Sequence, residues 1–217
     1  MPKTSPLAPR QARSRESETK LIKATIEMLA QYGLEGATVP RVAEHAGLTP
    51  GTVYRRFPDK NALMERCITR ILEDQLVHLK KTFTTELAQQ SSLQVLIESV
   101  TRAMLASYRS NAKLIRALRQ FVQASDHLAF KREAAKLENG AMAHLTDVLM
   151  IHQKHMRHPQ PTSALTMAFL MLTATLAELV VTGDKANHLQ SLIPTDDAFL
   201  ERELTRMFLS YIGAVGF

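Results

Sequence analysis

Three observations predict an all-α fold. The 217 residues are 45% hydrophobic but only 6% aromatic, with no Trp, and the apolar residues gather in stretches rich in Ala, Leu and Met. Such a composition suits helices better than sheets. Apolar positions recur at helical spacing, and no stretch alternates apolar and polar at the period of a strand. The pattern divides the chain into a basic flexible arm over 1–16, a three-helix head over 17–60 and a larger helical body over 61–217, with about nine helices in all. The single linking helix leaves no flexible joint between head and body.

The arm carries Lys3, Arg10, Arg13 and Arg15 with no acid before Glu16, so its first 15 residues hold four of the six net positive charges. It is either a solvated tail or a segment lying along nucleic acid. Pro2, Pro6 and Pro9 leave no apolar signal segment in it. Ser17 is expected to cap the first helix, and Glu18 suits its positive start. Ile22, Ile26, Leu29 and Ala30 form its inward stripe, and Gly33 closes it. A short helix follows Thr38, with Pro40 in its first turn. Gly47 interrupts, and Thr49 caps the next helix with Pro50 at its first position. Pro58 and Asp59 end that helix and start a long one, whose stripe is Leu63, Met64, Ile68, Ile71, Leu76, Leu79 and Phe83.

Helices are then expected over 91–108, 111–123 and 126–155, with a break or bend at Asn139-Gly140. Pro159-Gln160-Pro161 is a stop. An apolar helix over 162–182 ends at Gly183. Thr195 caps a final helix striped by Leu200, Leu204, Met207, Phe208 and Tyr211. Residues 164–181 are apolar enough to raise a membrane span, but Glu178 would be costly in lipid. The expected setting is burial on nearly all sides inside a protein, without a membrane. The one cysteine, Cys67, excludes a disulfide framework and a Cys-based zinc site. A cytoplasmic, reducing location fits.

The chemistry concentrates in residues 39–58, VPRVAEHAGLTPGTVYRRFP. Two short helices crossing closely need a small residue at the crossing, supplied by Ala43. They need a turn residue that accepts positive φ, supplied by Gly47 four positions on. Val42, Leu48 and Val53 lock the pair. This is a helix-turn-helix, and its second helix would enter the DNA major groove with its N-terminal residues deepest. Thr49, Pro50, Gly51 and Thr52 would face the bases, and Arg55 and Arg56 would reach guanine or phosphate. Thr38, Arg41, Tyr54 and Lys60 are placed for the phosphates at the edges. The net charge of +6 agrees with an anionic partner.

Residues 19–68 resemble the N-terminal domain of the TetR family of regulators. The family pattern is met by Gly33, Thr38, Val42-Ala43, Ala46-Gly47, Thr49-Pro50-Gly51-Thr52, Tyr54-Arg55-Arg56-Phe57 and Lys60-Asn61-Ala62-Leu63. One departure is Ala30, where the family often has Phe. The resemblance implies a sequence-specific transcriptional regulator, a repressor released from its operator by a small-molecule effector. It also implies a homodimer formed through the last two helices on a pseudo-palindromic operator of double-stranded DNA. The final helices suit that role, since two from each subunit would make a four-helix interface.

Other residues carry two readings each. Met104, Tyr108, Phe121, Met142, Met167 and Met171 are candidates for an effector pocket or ordinary core. Glu178 is either a polar anchor for ligand or part of an interface ion pair. His144, His152, His155 and His158 suggest a metal, but no carboxylate or Cys joins them at ligand spacing, and histidines also favour a helix C-terminus. Cys67 is a redox sensor or inert core. No nucleophile elbow, phosphate loop, HExxH or paired-Cys motif is present, so no enzyme activity and no cofactor are expected. The alternatives to a regulator are a non-specific basic DNA-binding protein and a helical enzyme.

Overall fold

The computed structural model describes residues 7–182 and 192–215, the side chains of 7–14 excepted. Among these residues the elements are α1 (Leu7–Gly36), α2 (Val39–His45), α3 (Pro50–Tyr54), α4 (Lys60–Thr82), α5 (Thr85–Gln90), α6 (Leu93–Ser110), α7 (Ala112–Ala124), α8 (Leu128–Met150), α9 (Pro161–Leu176) and α10 (Asp197–Tyr211). A 3₁₀ turn, Gln153–His155, follows α8, and a π-helical turn, Ala177–Val181, continues α9. The described residues form no β-strand. The helix beyond the expected nine is α5, six residues long, whose start is capped by the Thr84 hydroxyl accepting from Leu87 N–H at 3.2 Å.

The first helix departs most from expectation. It begins at Leu7, ahead of Ser17, so residues 7–16 are helical and not part of an irregular arm. Pro9 falls in the first turn, where its missing N–H has no helical partner to lose. Glu16 and Lys20 pair across one turn at 2.9 Å. Lys3 lies outside the described residues. The inward face is Leu21, Ile22, Thr25, Met28 and Leu29, all buried, while Ala30 is exposed. The lack of an aromatic ring at Ala30 therefore takes nothing from the core. Gly33 ends the regular helix at φ +70°.

The apolar side chains form two clusters, and their division does not follow the expected boundary at residue 60. One cluster joins α1–α4 with Leu114, Ala117 and Phe121 of α7 and Phe130 and Ala134 of α8. Phe121 and Phe130 meet edge to face at 5.9 Å. The other cluster joins α6, α8, α9 and α10, with Phe169 and Phe208 edge to face at 4.9 Å near its centre. The α7 helix is strongly two-faced, and the face it buries lies against α1.

Helix α8 runs unbroken through Asn139-Gly140. A Cβ on Gly140 would lie 3.5 Å from a Leu76 methyl, so the residue marks the close contact of α8 with α4, not a bend. The apolar helix over Pro161–Val181 is the only one among the described residues long and apolar enough to cross a membrane. It is half buried, not enclosed on nearly all sides: Phe169, Leu172 and Leu176 face the core, and Met167 and Leu170 are 45% and 58% exposed. Asp196, not Thr195, caps α10, accepting from Phe199 N–H at 2.9 Å. Tyr211 leaves the inward stripe and is 38% exposed, beside His158 at 5.7 Å.

Cys67 is fully buried in the head cluster, and burial pushes its thiol up to about 12. A protonated thiol is thus part of the folded state, and only the unfolded chain ionises near the ordinary value. Its contribution to stability is lost as pH rises from the ordinary thiol value towards about 12. At about pH 8 a disulfide reagent should modify Cys67 slowly in the native protein and rapidly in urea. Fast native modification would contradict this burial.

Candidate DNA-binding interface

Helix α3 is five residues long. Its order comes from caps and burial, not from propensity. The Thr49 hydroxyl accepts from Thr52 N–H at 3.3 Å and lies 3.0 Å from the Thr52 hydroxyl, and Pro50 occupies the first position. Behind it, Val53 packs into Val42 and Ala43, and all three are sealed from solvent. Gly47 turns the chain at φ +67°, which lets Leu48 N–H return to the Ala43 carbonyl at 2.8 Å. The expected roles of Ala43, Gly47, Val42 and Val53 in the crossing are thus all met. Pro40 likewise sits in the first turn of α2, although Thr38 makes no side-chain cap there.

This base presents a defined face. Thr49, Pro50, Gly51, Tyr54 and Arg55 are exposed, with Tyr54 at 53%, and Thr38 and Thr52 are half-buried beside them. Arg41 is exposed but held: its guanidinium lies 4.3 Å over the Tyr32 ring, and Nη1 donates to the Gly36 carbonyl at 3.2 Å. Lys60 and Arg56 differ from expectation. Lys60 Nζ donates to the Leu34 carbonyl at 2.9 Å, tying the start of α4 to the end of α1. Arg56 Nη1 donates to Glu18 Oε2 at 3.1 Å, and its side chain is only 21% exposed. A carboxylate of its own head is therefore among its contacts. Sequence reading gave Glu18 to the start of the first helix and missed this pairing, because no local spacing links residues 38 positions apart.

Among the described residues the pocket candidates fall in different clusters and differ in exposure. Met104, Tyr108, Met142 and Met171 pack half-buried on the body cluster. Burial pushes the Tyr108 phenol above its usual value, with Arg119 opposing and Glu138 adding. Phe121 belongs to the head cluster, Met167 is exposed, and Glu178 is exposed and accepts from the Thr182 hydroxyl at 3.4 Å. Two cavities open at the junction of head and body. One, of about 270 Å³, lies between Tyr32-Gly33 and Lys113, Arg116 and Ala117. The other, of about 500 Å³, is lined by Lys60, Glu65, Phe121, Asp126 and His127. The histidines serve as ties: His144 and His152 Nε2–H donate to the carbonyls of Phe83 at 2.8 Å and Ala88 at 2.9 Å, fastening α8 to α5 and the turn before it.

Residues 21–67 match the family model described as bacterial regulatory proteins, tetR family. The chain is 42% identical over 55 residues to the HTH-type transcriptional regulator BetI 2 of Chromohalobacter salexigens, covering 25% of this chain and 27% of that one. It is 28% identical over 127 residues to BetI of Vibrio vulnificus, covering 58% and 63%. It therefore spans less than two thirds of the length of these relatives. The whole fold is similar to a crystal structure from Mesorhizobium loti assigned to the TetR family of regulators, with a TM-score of 0.71 at 17% identity, covering 92% and 96%.

Two substitutions test the geometry of the motif. Gly47→Ala places a side chain at positive φ and should cost about 1–2 kcal/mol. Thr49→Ala removes a cap and should cost about 1 kcal/mol. Both are read from urea midpoints, and an unchanged midpoint for Gly47→Ala would mean the turn is not as described.

Proposed function

From the premise that this chain carries the N-terminal domain of the tetR family of bacterial regulatory proteins, we propose that it is a sequence-specific transcriptional regulator of the bacterial cytoplasm. It binds DNA through α3 and is released by a small-molecule effector. The observation that carries this is the exposed Thr49–Thr52 face of a fully buttressed α3, flanked by Tyr54 and Arg55. Hydroxyls and a close backbone read base edges, and the flanking groups hold phosphates.

The body supports dimerisation and coupling. Met167 and Leu170 leave an apolar stripe on α9 uncovered, and Tyr211 is exposed on α10. A second copy laying the same two helices against these would close a symmetric four-helix interface. Effector binding in the body has two routes to the head: along α4, and through α7, which shares the head cluster. The effector acts by binding one arrangement of the two heads better than the other.

The functional test is fluorescence anisotropy on DNA from upstream of the gene and on random duplex at physiological salt. Preference for the upstream DNA by at least about 10³-fold is expected, and a ratio near one sinks the regulator. Arg55→Ala should weaken binding to both. For the dimer, the native mass in sedimentation should be twice 24.3 kDa. Leu170→Glu should return it to one chain while the circular dichroism stays helical. A monomeric native protein would refute the interface.

A further inference from the structure

We propose that Glu18 is a positioning residue that limits the strength and salt dependence of DNA binding: it holds Arg56 on α1 and keeps its charge off the DNA phosphates. The proposal rests on the DNA-binding reading above. Arg56 lies just past α3, at the edge of the face that meets DNA. Its Nη1 donates to Glu18 Oε2 at 3.1 Å, and the other oxygen of that carboxylate accepts from Arg66 Nε at 3.2 Å. Arg66 Nη1 continues to Glu73 Oε2 at 3.4 Å. The four charges alternate in sign and sum to zero. They run from the end of the recognition helix, across α1, into α4.

Exposure distinguishes the two neighbouring arginines. Arg55 is exposed, whereas the side chains of Arg56, Glu18 and Arg66 are 21%, 31% and 35% exposed. Covered, charge-assisted pairs are weakened less by salt than surface ones. Arg56 is thus held in a contact that persists at the ionic strengths where phosphate contacts weaken.

Contact with phosphate carries no sequence information. Each phosphate neutralised strengthens binding to every duplex and steepens the dependence of log K on log salt by about 0.9. Discrimination is a ratio of affinities, so a guanidinium that adds equally to every duplex leaves the ratio unchanged and tightens binding to all of them. Glu18 keeps Arg56 out of that general term, and the hydroxyl face at Thr49–Thr52 is left to decide the sequence. If Glu18 were only a strut, its loss would weaken binding to every DNA. The two roles differ in sign.

The test uses the full chain on upstream and random duplexes over a salt series, with native protein, Glu18→Gln, Arg56→Gln and the double variant. Gln keeps the shape of the glutamate without its charge, and at position 56 it replaces the guanidinium by a shorter neutral amide. Glu18→Gln should bind both duplexes several-fold tighter at low salt, with a slope steeper by about 0.9 on each and the ratio between them unchanged. Arg56→Gln should keep the native slope, and the double variant should return to it. A native or shallower slope for Glu18→Gln overturns the assignment, as does a shallower slope for Arg56→Gln. If Glu18→Gln does not fold, the Arg56→Gln slope decides alone: unchanged supports the proposal, shallower overturns it. A native protein that binds both duplexes equally refutes the regulator but leaves the slopes on random DNA to judge Glu18. No DNA binding at all overturns both.

Discussion

A helix of five residues has no stability of its own in water, because forming its first turn costs more than its few hydrogen bonds return. Everything α3 presents to a partner therefore depends on what holds it from behind. Val53 supplies the anchor, sealed between Val42 and Ala43, while Gly47 and Thr49 fix where the chain enters. Apart from the cap at Thr49, the exposed residues can be small and polar because the helix is anchored from behind. Thr49 does both jobs, capping the turn with an oxygen on the exposed face.

The basic residues around this face are not equivalent, although they read alike in the sequence. Arg55 is exposed, Arg41 is stacked on Tyr32, Lys60 closes the end of α1, and Arg56 is neutralised by Glu18. Net charge therefore overstates how much cation this edge presents, since much of it already compensates a helix end or a carboxylate.

What could be read without coordinates was local. The crossing of α2 and α3 lies within one stretch of 39–58, so spacing alone placed Ala43, Gly47 and Val53 correctly. The helical character of the body followed from periodicity. The extended start of α1 was hidden by Pro9, which reads as a breaker but is tolerated in a first turn. The pairing of Arg56 with Glu18 and the burial of Phe121 against the head join residues far apart in the chain. A two-faced α7 announces that it needs a partner, but nothing in the pattern says which surface it will cover. Nor does it show that Met167 and Phe121 face away from the half-buried body positions Met104, Tyr108, Met142 and Met171.

The head's apolar cluster is completed by Leu114, Ala117, Phe121, Phe130 and Ala134 from the body. Cutting the chain after α4 would strip those five side chains from the surface they cover and expose the stripe of α1. The head is thus not a foldon separable from the rest, and its amides should exchange with solvent through openings that also loosen α7. An alteration deep in the body that leaves the reading surface untouched can then change occupancy on DNA simply by changing how often α7 lets go. Under the proposed function, ligand sensing and operator grip would then be two readouts of one cooperative opening.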